Sequence, residues 1–96
     1  MARLTRNDVV TQAGELFVVL ESELLPPLPT IVVVPLVEDY PVVEGLNPTI
    51  RFDGHSYILA TRLVIPVRRS GLRHIGDVED QGDIITRAVD VMMAGV

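Results

Sequence analysis

Two aliphatic runs set the strongest constraint on this chain. The stretch GELFVVLES, Gly14 to Ser22, alternates Leu16, Val18 and Leu20 against Phe17, Val19 and Glu21. The period is two and both faces are mostly apolar, which predicts a strand in the middle of a sheet. The run IVVVPL, Ile31 to Leu36, is rich in β-branched residues and predicts a second buried strand. Pro35 lacks an N–H, so it is expected at the end of that strand or at a bulge. Between the runs, Leu24 and Leu25 precede Pro26, Pro27 and Pro29, which end regular structure.

The clearest local signal lies further on, in TIRFDGHSYILAT. Asp53-Gly54 between two strand-like runs is a preferred two-residue hairpin turn, because both central positions need positive φ. Pairing outward from it puts Phe52 opposite His55 and Ile50 opposite Tyr57, all on one face. The proline- and glycine-containing segment from Glu38 to Pro48 reads as an irregular excursion. LVIPV, Leu63 to Val67, is another short strand, and RRSGLRHIGDV is loop or edge.

The final element is a helix. Asp83 is placed to cap it, and the Asp83–Arg87 spacing puts an acid four residues before a base. Ile84, Ala88, Val91 and Met92 share one stripe, with Ile85 at its margin, and that stripe is expected to dock on the sheet. Val89, Met93 and Val96 form an apolar shoulder beside it. One helix does not easily bury both against a small sheet. The expected architecture is one domain over residues 1–96, mainly antiparallel β, a small barrel with a C-terminal helix.

Composition narrows the function. Ninety-six residues, 48% hydrophobic and 4% aromatic, make one aliphatic core with a high surface-to-volume ratio. Self-association is therefore expected. A net charge of −5 disfavours bulk electrostatic binding to nucleic acid or anionic membrane. Cysteine is absent, so disulfides, thiol catalysis and Cys–zinc sites are excluded. MARLTRNDVV has no signal-type apolar core, and the longest apolar run, Ile31 to Val37, is too short to span a bilayer. A cytoplasmic protein without cofactor is the expectation.

Candidate chemistry is sparse. DVEDQGD, Asp77 to Asp83, has acids at positions one and three and glycine at six, like a calcium loop. Its twelfth position is Ala88, however, where a bidentate Glu is needed, so it reads as an acidic turn before the helix. His55 and His74 form no ligand-spaced pair and suggest no Ser-His-Asp set. Arg68, Arg69 and Arg73 with His74 make a basic patch that could receive an acidic segment or a phosphate, or simply be a solvated loop.

Beyond these patterns, the chain resembles the CcdB family of toxins from plasmid-type toxin–antitoxin modules. The likeness lies in LFVVLESELL (Leu16 to Leu25), VVPL (Val33 to Leu36), LATRLVIPV (Leu59 to Val67) and AVDVMMAGV (Ala88 to Val96), in family order. The resemblance implies an SH3-like antiparallel barrel with a small extra sheet and a C-terminal α-helix, dimerised near that helix. It implies a non-enzymatic poison of the DNA gyrase A subunit, removed by a cognate antitoxin, with no direct nucleic-acid or membrane binding.

Carried over residue by residue, the resemblance assigns gyrase contact to Ala94, Gly95, Val96, Leu24, Leu25 and Asp90. Antitoxin contact falls to Met93, Ala94, Leu24 and Leu25. Ala94 stands where the family has tryptophan, Met93 where it has an aromatic residue, and Asp90 where it has an amide. Val19 and Glu21 replace polar residues usual in the second strand. Two alternatives remain open. One is a diverged member that binds antitoxin without poisoning gyrase; the other is a likeness to the related endoribonuclease toxins, which would need the Arg68–Arg73 patch as a basic site.

Overall fold

The structure is a computed structural model that describes residues 4–21 and 28–95. Seven antiparallel strands form one curled, half-barrel sheet: β1 (Asp8–Gln12), β2 (Glu15–Val19), β3 (Thr30–Val37), β4 (Thr49–Phe52), β5 (His55–Leu59), β6 (Ile65–Arg68) and β7 (Arg73–Asp77). Helix α1 (Gly82–Ala94) follows. Along the sheet the order is β4-β5-β3-β2-β1-β7, with β6 also on β3. The β4–β5 hairpin is continuous with the rest of this single sheet through Leu36↔Leu59 and Val37↔Ile58, so it does not form a separate small sheet.

The two aliphatic runs are β2 and β3, paired side by side from Leu16↔Leu36 to Val19↔Val33. Their double-sided apolarity has a direct counterpart in packing. Val18, Val34 and Leu36 face a cluster with Val9, Ile50, Leu59, Val78, Ile85 and Ala88, beneath the helix. Phe17, Val19, Ile31 and Val33 face the opposite cluster, with Val10. A sheet of this size buries both faces only by curling.

Pro35 departs from expectation, lying inside β3 opposite Phe17 rather than at an end or bulge. The reason is a change of partner along one edge of β3. That edge pairs with β6 up to Val33↔Ile65 and with β5 from Leu36↔Leu59. Pro35 sits between the two ladders, and its carbonyl accepts the Ala60 N–H at 3.0 Å. The missing N–H faces a gap where no strand partner waits.

The same change of partner corrects the strand expected over Leu63 to Val67. Thr61–Leu63 is a 3₁₀ turn, and the strand begins at Ile65. Thr61 is buried, and its hydroxyl donates to the Leu46 carbonyl at 2.6 Å, tying the irregular segment 38–48 to the turn.

The Asp53-Gly54 hairpin forms as expected, with Phe52↔His55 and Ile50↔Tyr57 and φ values of 53° and 78° at the turn. Strand β1, which the sequence pattern leaves unassigned, pairs with β2 across a second two-residue turn. There Ala13 and Gly14 take φ of 53° and 80°. The RRSGLRHIGDV segment contains the edge strand β7, paired to β1 with an irregularity between Val9 and Val10.

The helix is rotated relative to the expected stripe. Ile85 and Ala88 are buried and Val89 and Met92 half-buried, whereas Ile84 and Val91 are exposed. The docked face is therefore centred near Ile85. Asp83 is not the cap: it lies within the first turn, after Gln81 at the N-cap position, and no side-chain cap is present.

Candidate functional site

Of the residues singled out for partner contact, those the structure describes lie on α1 and at the residue that follows it. Asp90, Met93, Ala94 and Gly95 are all exposed, Met93 to 64%. Val91 and Ile84 add further uncovered apolar surface on the same helix. Val96, Leu24 and Leu25 lie outside the described residues.

Gly95 is informative because the fold does not need it. Its φ is −87°, which any residue adopts, and its N–H bonds the Val91 carbonyl at 3.1 Å. A Cβ there would stand 3.5 Å from the Val91 oxygen, an ordinary contact. Neither backbone conformation nor packing inside the chain demands a glycine at this position.

Asp90 also borders the exit of β2. Leu20, Arg6, Ile85, Thr86, Val89 and Asp90 line a crevice of about 80 Å³ on the flank of the helix. Arg6 donates from Nε to the Leu20 carbonyl at 3.0 Å. The point at which the chain departs towards residues 22–27 is therefore adjacent to Asp90. Sequence reasoning named Asp90 and the Leu24–Leu25 pair separately; the fold brings Asp90 beside the β2 exit.

Other candidates resolve differently. His55 is exposed next to the hairpin turn, its ring 6.4 Å from that of Tyr57. His74 Nε2 lies 3.5 Å from Asp8 Oδ1, while Asp8 Oδ2 accepts the Thr5 N–H at 2.9 Å. Neither histidine faces a nucleophile in these contacts. The Asp77–Asp83 segment is a turn: Asp77 Oδ1 accepts the Glu79 N–H at 3.1 Å, and a 3₁₀ turn over Glu79–Gln81 leads into the helix. Among the described residues there is no cluster of three or more His, Asp or Glu able to hold a metal.

The basic patch divides. Arg68 and Arg73 are exposed, but Arg69 is only half-exposed and turned inward. Its Nε donates to the Leu28 carbonyl at 2.8 Å and its Nη2 lies 3.9 Å from Glu21 Oε2. Sequence reasoning missed these contacts, and likewise the use made of Gln81. The Gln81 side chain accepts the Arg51 N–H at 2.8 Å and donates to the Arg51 carbonyl at 2.7 Å. It thereby binds the edge of β4 as a neighbouring peptide group would. Pairings between residues this far apart in sequence leave no local pattern.

The fold is thus a curled antiparallel sheet with one C-terminal helix, whose exposed side carries Ile84, Val91 and Met93 among Asp83, Thr86, Arg87 and Asp90. The family model described as CcdB protein matches residues 4–95, and the chain belongs to the CcdB family. Membership makes it a toxin of a toxin–antitoxin module, in a family whose toxins are non-enzymatic. No curated protein matches the chain.

Proposed function

We propose that this toxin binds the A subunit of DNA gyrase as a homodimer, traps the enzyme on cleaved DNA, and is released by a cognate antitoxin. The observation that carries the reading is the exposed end of α1. There Asp90, Met93 and Ala94 are uncovered, and Gly95 is a glycine that the fold does not require. A glycine beside exposed Met93 and Ala94 suits close approach of a partner backbone. Leu24 and Leu25 complete the contact in this proposal, with Val96 after Gly95. Dimerisation would cover the apolar residues that one sheet leaves exposed on the helix, Ile84 and Val91 among them.

Ala94 favours a second reading. Its methyl group replaces the indole that anchors the family's contact, and loss of such an anchor commonly costs about 2 kcal/mol or more per site. A member that keeps its antitoxin and has lost gyrase fits that change.

Gyrase-dependent DNA cleavage decides between them, measured with gyrase of the source organism, this protein and Ala94→Trp. The proposal expects cleavage with the unmodified protein and stronger cleavage with the variant. Cleavage only with Ala94→Trp establishes the second reading. Absence of cleavage with both ends the gyrase assignment. A parallel pull-down with an adjacent antitoxin-like protein tests the antitoxin half independently.

A further inference from the structure

Strands β4 and β7 are the two ends of the curled sheet, and among the described residues each has one edge with no neighbouring strand. An open strand edge offers N–H and C=O groups to another chain. In an antiparallel hairpin, residue pairs alternate between those that exchange hydrogen bonds and those that do not. The turn at Asp53-Gly54 closes on Phe52↔His55, and at the other end of the hairpin the Leu59 N–H donates to the Pro48 carbonyl at 3.0 Å. The backbone groups of Thr49 and Arg51, which fall between the bonded positions, therefore face the free edge. Gln81 covers those of Arg51: its side-chain carbonyl accepts the Arg51 N–H at 2.8 Å, and its amide donates to the Arg51 carbonyl at 2.7 Å. A neighbouring strand would make the same pair of bonds. The 3₁₀ turn Glu79–Gln81 holds Gln81 for this task, with the Gln81 N–H on the Val78 carbonyl at 2.9 Å. Val78 is itself buried and donates its N–H to the Asn7 carbonyl at 2.8 Å. Gln81 stands at the N-cap of α1, yet its side chain makes no cap bond. Its bonding capacity goes to β4 instead.

We propose that the β4 edge is a strand-pairing surface for a second copy of this chain, held closed by Gln81. The proposal does not depend on the gyrase reading. The edge suits a copy of itself because its free groups are self-complementary. With the two-fold axis through Ile50, Thr49 stands opposite the partner's Arg51 and Arg51 opposite the partner's Thr49, each pair exchanging both N–H···O bonds. This register keeps the two guanidiniums apart, whereas Arg51 opposite the partner's Arg51 would set like charges against each other. Ile50 is buried and Phe52 half-buried on the core side, so pairing leaves the inner face as it is. The amide of Gln81 occupies both groups of Arg51 that the register needs. Within one chain those bonds form without the entropy loss of association, so the closed form prevails while Gln81 is in place. The edge is also distinct from the exposed helix residues Ile84, Val91 and Met93, because backbone groups rather than apolar side chains carry it.

The test compares the full chain with Gln81→Ala and with Gln81→Glu, whose carboxylate keeps the acceptor and loses the donor. Measured are circular dichroism, sedimentation over a range of concentrations, and amide exchange at Arg51 in dilute and in concentrated protein. The proposal expects Gln81→Ala to stay folded and, when dilute, to exchange the Arg51 amide about tenfold faster than the unmodified protein. As its concentration rises, it should sediment as a larger species than the unmodified protein and regain protection at Arg51. Gln81→Glu should lie between the two. Unchanged exchange at Arg51 in dilute Gln81→Ala overturns the latch. Sedimentation equal to that of the unmodified protein at every concentration overturns the pairing surface. A larger species in which Arg51 still exchanges fast is joined through another surface, and that result overturns the proposal as well. Loss of the folded signal in both variants does the same, since Gln81 then acts only by holding the fold together.

Discussion

Gly76 and Phe52 show how a single atom decides whether the two ends of the curled sheet fit together. Arg51, Phe52 and Asp53 from the β4 hairpin face Ile75, Gly76 and Asp77 from β7 across an open cleft. A Cβ on residue 76 would lie 2.8 Å from Phe52 Cε1 and 3.0 Å from Cζ, well inside van der Waals contact. Gly76→Ala is expected to destabilise the protein by about 1–3 kcal/mol through displacement of that ring. Thermal unfolding followed by circular dichroism measures it, and Phe52→Leu in the same chain should restore part of the loss. Nothing in the tripeptide HIG discloses this contact, because its other half lies in β4. The two hairpin tips make a related point. Asp53-Gly54 is legible because its residues suit positive φ, whereas Ala13 adopts φ 53° against its preference and so gave no signal.

For the helix, periodicity established that α1 is amphipathic, but its rotation came from the sheet beneath it. Ile85 and Ala88 join the cluster formed by Val9, Val18, Val34, Ile50 and Leu59, which leaves Ile84 and Val91 outside. With apolar residues on much of the circumference, several stripes were compatible with the sequence. Ile85→Ala is expected to cost about 2–5 kcal/mol. Ile84→Ala, at a position 48% exposed in the single chain, should cost no more than about 0.5 kcal/mol at concentrations where the protein is monomeric. Denaturant titration of the two variants checks the rotation, since the stripe centred on Ile84 predicts the reverse order. Gln81 reinforces the same docking by bonding both backbone groups of Arg51, an edge pairing made by a side chain.

Across the whole protein, the apolar surplus is spread over several elements. Leu28, Val42, Val43, Leu63, Ile65 and Ile75 are exposed outside the helix, and Ile84, Val91 and Met93 form an exposed apolar surface on it. If that surface joins two copies, Val91→Asp combined with Met93→Asp should shift the protein towards monomer in sedimentation experiments and leave its circular dichroism spectrum unchanged. Equal sedimentation of the two proteins would show that this surface does not join copies. Among the described residues no helix is long and apolar enough to cross a membrane.

Sequence by itself determined what depends on neighbours along the chain. It specified the two double-sided strands, the Asp53-Gly54 hairpin with its register, the amphipathic C-terminal helix and the family-like order of short aliphatic motifs. Each of these is encoded in periodicity or turn chemistry within a dozen residues. Only the tertiary structure decided the rotation of α1, the place of Pro35 between two partner strands and the inward turn of Arg69. Each depends on groups that meet from distant parts of the chain: Ile85 with Val18, Pro35 with Ala60, and Arg69 with Glu21 and Leu28. Such meetings follow from how a curled sheet brings its edges and ends together, and no local pattern carries that information.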